Sequence, residues 1–176
     1  MVVQTAFFNH LNRVADGVGI ELDYPTGLPA MARVDRAPLP RPERAAWPRP
    51  SSVPTRLSLE QRAATGEAFA RWSDHVLERD APLSRRDRAV VRRAVAGALC
   101  HEGLFALLEF ATPAGGREEA LSTYADTLTR SPWRVDSSSL APLRAAGLDD
   151  EALLDVIALT SFQNAASRIE LALAAS

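Results

Sequence analysis

Three residues that can do chemistry stand side by side at Cys100, His101 and Glu102, in the otherwise apolar stretch 83–110, LSRRDRAVVRRAVAGALCHEGLFALLEF. A thiolate is a nucleophile and a redox group, an imidazole moves protons near neutral pH, and a carboxylate relays or orients them. Together they form the candidate catalytic set. Their adjacency works against a nucleophile–base pair, because neighbours on one helix point about 100° apart. His101 shares a helical face with Ala94, Ala98, Phe105 and Leu108, which predicts a buried or interfacial imidazole. Cys100, the only cysteine, reads first as a structural thiol, since free cysteine behaves as a small apolar residue. Glu102 and Glu109, seven apart, share a face expected to be a solvated or interface edge.

The elements that must position these residues follow from periodicity and punctuation. Ser84 with Asp87 forms a capping-box pattern that opens a helix over the central stretch, and Gly97 and Gly103 within it mark close contacts or a bend. Upstream, Ser58 with Gln61 opens a helix over 58–79 with Leu59, Phe69, Trp72 and Val76 as its apolar stripe. Downstream, a turn over 111–116 leads to a helix over 117–129 carrying Ala120, Leu121, Tyr124 and Leu128, which Pro132 stops. A short helix over 137–146 ends at Gly147, placed where a left-handed C′ residue is wanted. Asp149 then caps a long last helix whose first turn holds Asp150 and Glu151 and whose apolar face runs from Leu153 to Ile169. No segment alternates as a strand would, so the expected fold class is all-α, a bundle of about six helices.

At the other end, Phe7, Leu11, Val14 and Val18 predict an amphipathic helix over 2–18. Eight of the twelve prolines then fall between residues 24 and 55, interleaved with arginines. Proline removes an amide donor and disfavours helix in the residue before it, so this stretch reads as an extended linker. The expected organisation is a first helix in 1–24, a linker over 25–56 and a helical domain over 57–176. A structureless connection of that length is unusual inside a compact domain, which suggests that the first helix packs elsewhere.

Composition narrows the function classes. Length suits one domain with a real core, and the net charge of −2 offers no reason to expect a nucleic-acid partner. The basic cluster Arg85, Arg86, Arg88, Arg92 and Arg93 is expected to be a solvated face paired with acidic neighbours. One cysteine excludes an internal disulfide, and His10 and His75 lack metal-ligand spacing, so neither a metal nor another cofactor is expected. No uncharged apolar run reaches the roughly 20 residues that cross a bilayer. No secretory leader pattern is evident either, so a cytoplasmic location is expected.

Shifting the sequence by 155 residues lays the last helix on the first: Thr160, Phe162, Asn164 and Arg168 fall on Thr5, Phe7, Asn9 and Arg13. The shared TxFxNxxxR pattern places asparagine and arginine on one face, able to bond each other or a common partner. The alternative is chance similarity between two amphipathic helices.

The segment LSTYADTLTRSPWRVDSSSLAPLRAAGLDDEALLDVIALTSFQNAASRI resembles the C-terminal half of the carboxymuconolactone decarboxylase and alkylhydroperoxidase (AhpD-like) superfamily, peroxidase-related group. Tyr124-Ala125 and Leu128-Thr129 match its Y/F-A-x-x-L-T element, and residues 143–151 match ALRxAGLxDEx. Phe162 and Arg168 match part of the closing AxFxxxNRxAxxLG helix, with Ser167 in place of its asparagine. Ala6-Phe7-Phe8, Asn12-Arg13, Ala15 and Gly19 match that closing helix better, and PLSRRDRAVVRRAVAGAL resembles the start of the family's catalytic helix.

The resemblance implies an AhpD-like helical bundle that assembles as a homo-oligomer, with the first helix exchanged onto a neighbouring copy. It also locates what is missing. The family's Glu, two CxxC cysteines and His fall on Ala89, His101, Leu104 and Leu108, so the thiol peroxidase set is absent. The leading expectation is therefore a subunit or a scaffold that binds a small organic ligand. The alternative is a non-redox acid–base enzyme acting on a small organic acid or lactone, which would need His101 in a cleft beside an arginine or a second acid. A helical DNA-binding regulator comes third.

Overall fold

A computed structural model describes residues 63–174 together with Val14 and Val18. Among the described residues there are six α-helices and no strand: α1 (Ala63–Leu77), α2 (Arg85–Ala98), α3 (Glu102–Leu107), α4 (Gly116–Arg130), α5 (Ala141–Ala145) and α6 (Asp150–Ala174). Short 3-10 turns at Glu109–Ala111, Pro132–Arg134 and Ser137–Leu140 join them. The fold is all-α, as expected. The linker and the Ser58–Gln61 capping pattern lie outside the described residues, as does the first helix apart from two positions. Those two, Val14 and Val18, are helical and half-buried against this chain's own core.

Local chemistry sets the helix ends. Ser84 Oγ accepts the Asp87 amide at 3.0 Å and starts α2, but the Asp87 carboxylate turns to Arg117, 3.1 Å away, instead of closing the box. Asp149 Oδ1 accepts the Ala152 amide at 2.9 Å and starts α6. Gly147 is left-handed, with φ of 83°. The Leu148 and Gly147 amides bond back to the Leu143 and Arg144 carbonyls at 3.1 and 2.9 Å, the Schellman pattern. Leu143 and Leu148 are both buried, supplying the apolar contact that accompanies it.

α2 is the centre of the bundle, packed most extensively on α4 and then on α6. Val90, Val91 and Val95 of α2 meet Leu121, Ala125 and Leu128 of α4 and Val156, Leu159 and Phe162 of α6 in one buried cluster. α1 closes the bundle with an aromatic trio. Trp72 meets Phe162 edge-on at 4.6 Å between ring centroids, and Phe69 stacks on Phe162 at 5.7 Å.

The arginine-rich start of α2 is a partial exception to the solvated face expected there. Arg85 pairs with Asp80 at the surface and Arg86 grips Glu118 at 2.9 Å. Arg88, by contrast, is 1% exposed and fully engaged. It donates to the Val76 and Arg79 carbonyls (2.8 and 2.7 Å), to the Ala81 carbonyl and to Asp155. The guanidinium takes up the otherwise unpaired carbonyls where α1 ends, which ties α1, α2 and α6 together. Sequence position does not reveal this, because the acceptors come from the turn between helices.

Candidate functional site

The central stretch is two helices with a sharp break, where one helix over 83–110 was expected. α2 ends in a second Schellman turn: the His101 amide bonds to the Ala96 carbonyl at 2.9 Å and the Cys100 amide to the Gly97 carbonyl at 3.3 Å. The left-handed C′ position is held by Cys100, with φ of 55°. A residue with a Cβ is uncommon there, so the sequence carries no glycine signal for the break. His101 then becomes the N-cap of α3, its Nδ1 accepting the Leu104 amide at 3.2 Å.

The break separates the candidate set. Cys100 and Glu102 line a pocket of about 340 Å³, within the range of small-molecule sites. Its floor is the face of α2 that holds Arg93, Ala94 and Gly97; α3 contributes Phe105, and α4 contributes Ser122 and Asp126. Arg93 fixes the α3 wall twice over. Its Nη1 donates to the Phe105 carbonyl at 2.7 Å, and its guanidinium lies 3.8 Å from the centre of the Phe105 ring. Gly97 allows this close approach, because a Cβ there would sit 3.1 Å from Phe105 Cε2. The close contact expected at Gly97 is thus its packing under Phe105. Asp126 also pairs with Arg130 one turn on, at 3.4 Å.

His101 turns away from this pocket. It is 3% exposed, and its Nε2 lies 2.7 Å from Glu170 Oε2 on α6. The burial expected of it is present, for a different reason: the residue caps a helix and does not lie on the face of one. With Nδ1 accepting an amide hydrogen, the ring proton resides on Nε2 and is donated to Glu170. Neither nitrogen is available to Cys100. Around this bond, Arg92 Nε donates to Gln163 Oε1 at 3.0 Å and Gln163 Nε2 to Ser167 Oγ at 2.9 Å. Burial pushes the Arg92 guanidinium below its ordinary value, against the opposing pull of Glu78 and Glu170.

The repeated motif on α6 is structural at three of its four positions. Thr160 Oγ1 bonds the Val156 carbonyl at 2.7 Å and Phe162 sits in the core. Asn164 Nδ2 donates to Thr129 Oγ1 (2.8 Å) and to the Thr160 carbonyl (3.0 Å). Arg168 is not bonded to Asn164; its Nε is buried without a hydrogen-bond partner, and burial lowers its pKa. Tyr124, from the first resembling element, is buried, and desolvation raises its pKa.

Sequence reasoning missed Arg93, Phe105 and Asp126 as pocket residues, and Glu170 as the partner of His101. The one signal for the pocket was Gly97, where a close contact was expected. Among the described residues no cluster of three His, Cys, Asp or Glu is arranged to hold a metal ion, and no helix is long and apolar enough to cross a membrane. Fold and site together define an all-α bundle with an open pocket at the broken C-terminal end of its central helix. Set against known proteins, the chain matches no family model and no curated protein.

Proposed function

We propose that this chain is a small-molecule-binding scaffold of AhpD-like outline that does not run thiol peroxidase chemistry, and that the pocket beside Cys100 is its binding site. One observation carries the reading: Cys100 lines a pocket of about 340 Å³ while the imidazole of its chain neighbour His101 is turned into the core and spent on Leu104 and Glu170. With one cysteine in the chain there is no second thiol to close the disulfide of a peroxide cycle, and the neighbouring imidazole is engaged elsewhere. The pocket has what a binding site needs instead: an apolar floor, the Phe105 ring, and Arg93, Glu102 and Asp126 to orient a polar ligand. The acid–base enzyme reading has less support, because His101 is not among the pocket's lining residues.

The test is to titrate the 15N-labelled full chain with a panel of small organic acids, amines and neutral aromatic fragments. The proposal expects the shift changes to gather on Gly97, Phe105, Ser122 and Asp126. Fragments that bind elsewhere, or a panel that leaves these four signals unmoved, would contradict it.

A further inference from the structure

We propose that His101 is a proton-sensitive clasp on this pocket: when its ring takes up a second proton, the start of α3 is released, and with it the wall that carries Glu102 and Phe105. The inference rests on the pocket reading only for its consequence to a ligand. The clasp itself is read from hydrogen bonds.

The ring is 3% exposed and both its nitrogens are committed. Nδ1 accepts the Leu104 amide at 3.2 Å, and Nε2–H is donated to Glu170 at 2.7 Å. An imidazolium has two donors and no acceptor. Once α3 opens and Nδ1 takes a proton from water, the Leu104 amide has lost its acceptor and faces another N–H. The Nε2–H bond to Glu170 survives as an ion pair, so the ring stays on α6 while α3 loses its cap. The usual caps, serine, threonine, aspartate and asparagine, would hold α3 without coupling it to the proton in this way. Histidine is the side chain whose charge ordinarily changes in the physiological range.

The charged groups around the ring come from each element packed on it. Glu170 faces it from α6 and accepts the Nε2 hydrogen. Arg92 stands on α2, bonded to Gln163 and within the field of Glu170 and of Glu78, just past α1. Cys100 and Glu102 flank it in the chain and face the pocket. Glu170 has a side chain 28% exposed, which gives water a path to the bond. The rest of α3 remains tethered through the bond from Arg93 to the Phe105 carbonyl, so release of the cap loosens the wall at its Glu102 end first.

The test is amide exchange at Leu104 by NMR in the ligand-free full chain, corrected for the intrinsic pH dependence, from about pH 8 to about pH 5. Protection at Leu104 should fall roughly tenfold, the size of one lost N-cap. It should fall in step with the His101 ring signal, while Val95 in α2 stays unchanged. His101→Asn, a cap that does not titrate, should keep Leu104 protection flat. If that variant does not fold, Glu170→Gln should move the loss of protection to lower pH, because the carboxylate that retains the imidazolium is gone. A ring that does not titrate in this range, Leu104 protection that ignores its titration, or variants with the wild-type profile would each overturn the clasp. None of these readouts needs a ligand, so they stand or fall separately from the pocket.

Discussion

Cys100 sits where a glycine would be more comfortable, and replacing it with one should give a more stable protein than replacing it with alanine. A residue with a Cβ in the left-handed region costs about 1–2 kcal/mol. Glycine returns that but adds about 0.4–1 kcal/mol of chain entropy to the unfolded state. For Cys100→Gly at φ of 55° the balance of these backbone terms, read against Cys100→Ala, is a gain of about 0.5–1 kcal/mol. The matching Schellman turn supplies the mirror experiment. Gly147 has φ of 83°, and a Cβ added there would meet open space, so Gly147→Ala should lose about 1 kcal/mol through backbone strain alone. Urea titrations followed by circular dichroism would read both as shifts in midpoint at constant slope. Cys100→Ala is the control, since it removes the sulfur and keeps the Cβ. If Cys100→Gly is no more stable than Cys100→Ala, the strain assigned to this turn is not there.

Two further substitutions probe the frame that holds the site. Arg88→Ala should cost about 3–5 kcal/mol in the same urea titration, because it leaves Asp155 and the carbonyls at the end of α1 without their shared donor. Gly97→Ala places a Cβ 3.1 Å from the Phe105 ring, so the ring must move and its resonances should be displaced, with the overpacking offset in part by about 1 kcal/mol of helix propensity. An Arg88→Ala protein as stable as wild type, or unmoved Phe105 signals in Gly97→Ala, would count against the corresponding contact.

What could be read from the residues alone was whatever is decided locally. Ser84, Asp149 and Gly147 announce helix ends because their effect reaches only three or four residues along the chain, and each stands where expected. The all-α class follows from periodicity in the same way. The break at Cys100 was legible only as the bend allowed for by Gly97 and Gly103, because its own backbone is left-handed without the residue that usually signals it. That one turn decides the site, since it places Cys100 on the pocket and turns the His101 imidazole to Glu170. Arg88 was hidden because its acceptors, carbonyls at and just past the end of α1 and the Asp155 carboxylate of α6, are brought together only by the packing of α1 and α6 on α2. Glu102 and Glu109 are exposed, as their shared face suggested, although the break means that they no longer lie on one continuous helix.

The most direct measurement of the central claim is hydroperoxide consumption by the purified full chain, with tert-butyl hydroperoxide as oxidant and dithiothreitol as reductant. Because the chain has one cysteine and the His101 nitrogens are engaged by Leu104 and Glu170, the rate should equal that of the protein-free blank. Protein-dependent turnover that disappears in Cys100→Ser would contradict the account.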